Sequence, residues 1–203
     1  GIRNKLVSGV QTCALPIDLL ARGRAYALAH RHGVEAVVQS YVPLAQQIAS
    51  PGATWLDRRL VSSDASDLAP AGFGQQVSEA MERRREHHIG HGDAARQQDG
   101  RIAYRRNLLA TLRGREIARV GSDMATAKAL PFRAAADGET VSGKFTGTVQ
   151  LSSGKFAIVE KSHEFTLVPW RPVIDRQLGR EVAGIVQGGS VSWQLGRQRG
   201  LGL

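Results

Sequence analysis

His87, His88 and His91, with Asp93 close behind, are the side chains in this sequence whose types could hold a metal ion. His87 and His91 stand four apart, so a helix would put both imidazoles on one face, as a metal pair requires. Against this, Gly90 and Gly92 loosen the backbone there, and no HExxH glutamate is present. A solvated helix end explains the same residues, because histidines suit the negative end of the helix dipole. That reading is favoured, and no metal is expected. A metal-dependent hydrolase built on His87 and His91 stands as the rival.

The denser chemistry is basic. Arg83, Arg84, Arg85, Arg101, Arg105, Arg106, Arg113, Arg115 and Arg119 crowd one stretch, and guanidinium forks match phosphate geometry. Glu79, Glu82, Glu86 and Glu116 are within pairing reach, so a merely solvated charged face competes. The excess of arginine over lysine favours nucleic acid. Tyr104 is the only aromatic nearby, so base stacking on single strands is not expected to carry the binding. The tail, WQLGRQRGLGL, sets Arg197 and Arg199 among glycines, where a phosphate could approach the backbone or charge could guard an edge strand. The expected DNA contacts are Arg83, Arg84, Arg85, Arg101, Arg105, Arg106, Arg113, Arg197 and Arg199. No nucleophile elbow, phosphate loop, CxxC pair or paired-carboxylate motif accompanies them. The residues themselves offer no catalytic centre and imply no cofactor.

The chain that carries these side chains has 203 residues and 42% hydrophobic content, which suffice for a real core. Lys plus Arg minus Asp plus Glu is 27 − 18 = +9, which favours a polyanionic partner. The charge is uneven: residues 75–128 hold 11 − 7 = +4, residues 168–203 hold 5 − 2 = +3, and 129–167 balance at 4 − 4. No run of eighteen apolar residues exists, so a spanning helix is excluded and no membrane partner is expected. A single cysteine excludes a disulfide scaffold.

Val7 to Ile17, VSGVQTCALPI, resembles the conceptual translation of a short-read sequencing adapter. Its apolar residues fit no period of 2 or 3.6, and Gln11 and Thr12 interrupt any signal-peptide core. Residues 1–17 are therefore set aside. Cys13 goes with them, leaving a cysteine-free remainder suited to a reducing cytoplasm.

The elements follow from periodicity. Asp18 to Gly33 reads as a helix. Val34, Val37, Val38, Tyr41, Val42, Ala45 and Ile48 form an amphipathic stripe, with a kink or restart at Pro43. Thr54 to Val61 buries Trp55 and Leu60 whether helix or strand, and residues 62–72 link onward. A helix over Phe73 to His88 places Phe73, Val77, Ala80 and Met81 inward and Arg83 to Arg85 outward. A short strand pair follows, its second strand Arg101 to Tyr104, then a long helix from Asn107 to Lys128. Helix, hairpin and helix in that order are compatible with a winged-helix-like unit.

Beyond Phe132 the period becomes 2: Val141, Gly143, Phe145, Gly147, Val149 and Leu151 alternate with polar residues. Strands are expected at 156–160, 164–168, 181–186 and 190–195, with turns at Ser152-Ser153-Gly154 and Gly188-Gly189. LVPWRP reads as a rigid corner packing Trp170. The expected class is α+β, with a helical region over 18–130 and a small antiparallel β-sheet or barrel over 131–203.

From Asp18 to Leu203 the chain resembles an uncharacterised C-terminal domain of bacterial relaxase/mobilization nucleases of the T-DNA border-endonuclease type. The matching stretches are HGVEAVVQSYVPLA, GATWLDRRLV, AGFGQQV, YRRNLLATLR, LPF, KFAIVEKSHEFTLVPWRPV and VSWQLGRQRGLGL. The resemblance implies a protein of conjugative plasmids or integrative elements. The parent enzyme nicks one strand at the transfer origin with a tyrosine and a histidine-held metal, and a type IV secretion system carries it to the recipient. That catalytic domain is expected upstream, and Leu203 at the natural end. The spacing His87-His88-Ile89-Gly90-His91 is not the nuclease's, and Tyr26, Tyr41 and Tyr104 are not assigned as its nucleophile. The resemblance thus implies a non-catalytic accessory region, cytoplasmic, that aids DNA binding at the transfer origin or docks to the secretion machinery. A purely structural module serving the upstream catalytic domain is a further alternative.

Overall fold

Pro43 decides where the first described helix begins. The computed structural model describes residues 40–62, 68 and 70–194. The expected helix at 18–33, most of the 34–48 stripe, and the tail with Arg197 and Arg199 lie outside them. Pro43, at φ −55°, precedes α1, Leu44–Ile48, and a proline needs no hydrogen bond for an N–H at a helix start. The restart is therefore present, but the stripe differs. Leu44 and Ile48 pack inward, Tyr41 is 68% exposed, and Gln47 is buried. The Gln47 amide donates to the Val42 carbonyl at 2.6 Å and accepts from the Leu56 N–H at 3.2 Å. A buried amide with both ends paired costs little, so polarity was no guide to its burial.

Trp55–Val61 forms α2, opened by a capping box in which Thr54 and Asp57 bond each other's backbone N–H. Phe73–Gly90 forms α3. Its Phe73, Val77, Ala80 and Met81 share one face at helical spacing and pack with Trp55 and Leu56. Ala94–Arg96 (β1) and Ile102–Tyr104 (β2) pair antiparallel, with Ala94 opposite Tyr104. Gly100 closes the hairpin at φ +81°. Leu108–Lys128 then forms α4, whose Leu108 and Leu112 cluster with Ala53. The expected order of helix, hairpin and helix is present.

Two compact units divide the chain, Gly1–Leu112 and Arg113–Leu203. Dividing the sequence after residue 130 assigns all of α4 to the helical part. The boundary instead falls inside α4, because Ile117, Val120 and Met124 pack on the sheet of the second unit.

That sheet contains β3 (Thr140–Leu151), β4 (Gly154–Glu160), β5 (Phe165–Pro169), β6 (Glu181–Gln187) and β7 (Ser190–Gln194). A 3-10 helix, Pro172–Gln177, lies between β5 and β6. The strand order is β5-β4-β3-β6-β7, and every pairing is antiparallel. The long β3 is shared, pairing with β6 through 140–144 and with β4 through 144–151. The edge strands β5 and β7 approach within 8 Å without pairing. The unit is thus a curled open sheet and not a closed barrel. A three-strand meander, a short helix, and a hairpin returning to the first strand is the connectivity of the OB-fold. The class is α+β, as expected.

β3 departs from simple alternation at one point. Its register against β4 shifts between Phe145 and Gly147, which inserts Thr146 as an unpaired residue. Such a bulge inverts side-chain parity. Val141 and Phe145 therefore belong to the interior of the curled sheet with Ala157, Val159, Val168, Val182 and Val191. Val149 and Leu151 join the opposite layer with Phe156, Ile158, Phe165 and Leu167, under α4. Both faces of β4 and β5 are covered, which explains why FAIV is a continuous apolar run and FTLV is buried throughout, Thr166 included, rather than alternating.

Glu116 anchors α4 on this layer. Its buried carboxylate accepts the N–H groups of Ser152 (2.8 Å) and Ser153 (3.1 Å) at the β3–β4 turn. Trp170 packs on the sheet interior as the expected corner, donating to Asp175 at 2.8 Å with the Lys155 ammonium 3.8 Å from its ring centroid. Among the described residues no helix is long and apolar enough to cross a membrane.

Candidate functional site

Asp57 occupies the third position of α2, where its carboxylate caps the helix, and the same carboxylate receives two side chains from α3. Arg84 donates from Nε to Oδ1 at 2.7 Å and from Nη2 to Oδ2 at 2.8 Å. Its remaining N–H groups reach the carbonyls of Ile48 (3.1 Å), Ser50 (2.6 Å) and Gly52 (3.0 Å). One helical turn on, His88 Nε2 lies 2.7 Å from Asp57 Oδ1. All three side chains are 0% exposed. Burial pushes the Asp57 carboxyl up, but the His88 and Arg84 hydrogen bonds and the Arg84 charge outweigh it and hold the group well below the usual carboxylate range.

This constellation corrects the reading of Arg84 as a surface phosphate contact. Its five donors are all used inside the protein, so none remains for DNA. Sequence reasoning also missed Asp57. The available signal was Thr54-Trp55-Leu56-Asp57, a capping-box spacing at the start of a helix.

The other expected contacts scatter by environment. Arg83, Arg105 and Arg106 are exposed, and no carboxylate pairs with them among the described residues. Arg101 has an 84% exposed side chain and reaches Asp99 only at 3.5 Å. Arg85 is half-buried and bound to Glu82. Arg113 is half-buried, with Nη1 3.4 Å from the Gly189 carbonyl.

His87 and His91 share a helix face, as their spacing implies, and His88 does not join them. His88 turns inward to Asp57, while the His87 and His91 rings stack 4.1 Å apart. His91 Nδ1 is engaged with the His87 carbonyl at 2.8 Å. Burial, with the Arg84 and His91 charges, holds the His87 pKa below its ordinary value, which favours the neutral ring. Among the described residues no three His, Cys, Asp or Glu side chains are grouped to hold a metal.

Beside the arginines lies a cleft of about 380 Å³ between α3 and the β1–β2 hairpin. Leu60, Glu82, Arg85, Arg96, Ile102 and Tyr104 line it. Ile102 and Tyr104 are two apart on one strand and so share a face. Arg96 is bound to Glu86 at 2.6 Å. The Tyr104 ring meets His88 edge-on at 6.2 Å, and its buried hydroxyl lies beside the Arg85 side chain. Burial pushes the phenol pKa up, so Tyr104 stays a neutral donor. The cleft is open and mostly polar, presenting guanidinium donors and one carboxylate with little apolar surface.

No curated protein and no solved structure matches the chain. A family model does match, over residues 7–202, a span that takes in the segment 7–17 set aside above. On that match, which covers nearly the whole sequence, the chain belongs to the family described as protein of unknown function, DUF3363.

Proposed function

We propose that this chain is the non-catalytic C-terminal accessory region of a conjugative relaxase and that it grips the DNA backbone near the transfer origin. The observation that carries this reading is the exposure of Arg83, Arg105 and Arg106 without a carboxylate partner among the described residues, with Arg101 nearly as free. An unpaired exposed guanidinium gives up little on meeting a phosphate, whereas a saturated one such as Arg84 would lose its existing bonds. The net charge of +9 adds a long-range attraction of the same sign. The second unit is a weaker candidate for the contact. In an OB-like sheet the outer face of the second and third strands takes the ligand, and here α4 covers that face.

Fluorescence anisotropy of a labelled duplex, titrated with the full chain over a salt series, tests the reading. The logarithm of the binding constant should fall linearly with log salt. Replacing Arg83, Arg105 and Arg106 together by Ala should reduce that slope by about 3, at roughly 0.9 for each phosphate no longer neutralised. Absence of binding at low salt would overturn the reading and turn attention to docking on the secretion machinery.

A further inference from the structure

We propose that the cleft between α3 and the β1–β2 hairpin receives a single unstacked nucleobase, with guanine preferred, from the DNA held by the neighbouring arginines. This rests on the DNA reading above and extends it from backbone to base. At about 380 Å³ the space is of small-molecule size. Its lining is mostly polar and mixes a carboxylate with guanidinium groups, a poor match to a bare phosphate, which a carboxylate repels. A base edge carries donors and acceptors side by side, and this lining answers both.

The Glu82–Arg85 ion pair engages Oε2 and Nη1, leaving Oε1 of Glu82 to face a ligand beside the Arg85 guanidinium, which also neighbours the Tyr104 hydroxyl. Guanine is the base with two adjacent donors, N1–H and N2–H, facing a carboxylate, and with O6 and N7 as acceptors for a guanidinium. Adenine and cytosine bring one amino group each, and thymine brings a single N–H between two carbonyls. Tyr104 is among the lining residues, as aromatics are in other sites that read a base taken out of its stack. Arg101 and Arg105, exposed and next in sequence to the lining residues Ile102 and Tyr104, would meet the flanking phosphates.

Calorimetric titration of the full chain with dGMP, dAMP, dCMP and dTMP tests the base preference. The expected result is dGMP binding at least about tenfold tighter than the others. Glu82→Gln should abolish that preference with the melting temperature unchanged, and Tyr104→Phe should retain it. Equal binding of the four nucleotides, or a preference that Glu82→Gln leaves intact, would overturn the proposal. A thymine oligonucleotide carrying one guanine should outbind the all-thymine strand. If dGMP binds but the oligonucleotide shows no guanine dependence, the site belongs to a free nucleotide and the DNA assignment is overturned. Duplex binding with its arginine-dependent salt slope is measured separately, so the cleft can fail while the backbone reading stands, or the reverse.

Discussion

Arg84 and Asp57 meet fork to fork at 2.7 and 2.8 Å with both side chains wholly buried, 27 residues apart in sequence. A pair like this is weak evidence of net stability, since two charges have left water. Losing one partner is another matter, because the survivor is then stranded in a low-dielectric interior.

Arg84→Met and Asp57→Asn should therefore each destabilise the first unit by about 3–5 kcal/mol. Chemical denaturation followed by tryptophan fluorescence would measure it, with Trp55 in the apolar core of the same unit. The double variant should cost clearly less than the sum of the two single ones.

Acid should find the same carboxylate. Asp57 is held below its ordinary value of 3.8 in the folded chain, so on acidification the unfolded state takes up the proton first. Its stabilising contribution is complete above the unfolded value and is lost as pH falls from there towards the folded one. Stability curves of the native protein and Asp57→Asn should converge as pH drops below about 4. Parallel curves through that window would refute the assignment.

Binding and stability should separate among the arginines. Arg105→Ala should lower duplex affinity by a small factor with the melting temperature unchanged, since the side chain is exposed. Arg84→Ala should lower the melting temperature sharply and affect DNA only through the loss of folded protein. Anisotropy and thermal melts on the same samples would settle it.

Gly121 offers a test of sign. Alanine is ordinarily better than glycine in a helix by about 1 kcal/mol. A Cβ at Gly121, however, would stand 2.5 Å from the Phe132 ring. Overpacking of that kind costs about 1–3 kcal/mol, so Gly121→Ala should destabilise the second unit. Gly114→Ala in the same helix meets nothing within 4 Å and should stabilise it.

Much of the fold was legible because the chain states its periods plainly. Phe73, Val77, Ala80 and Met81 announced α3, and Gly188-Gly189 announced the β6–β7 turn, where both residues have positive φ. What escaped was the polar interior. Gln47, Asp57, Arg84 and His88 all look like surface residues by type, and their burial depends on partners brought together only by the tertiary fold. Arg83, Arg84 and Arg85 are identical side chains in a row, yet the helix sends one inward, one outward and one to a flank. Parity along β3 was likewise misread, since an inserted Thr146 leaves no mark in an apolar–polar alternation that continues unbroken on either side. The cleft was hidden for the same reason as Asp57, its walls coming from α2, α3 and the hairpin.

β4 is hydrogen-bonded to a neighbour on each edge and covered on each face. Its amides have no route to solvent short of dismantling the sheet or lifting α4 from it. In a hydrogen-exchange time course the stretch from Phe156 to Val159 should be the last part of the second unit to take up deuterium. Those four residues would then report the opening of the unit as a whole, and their exchange rate would serve as its clock.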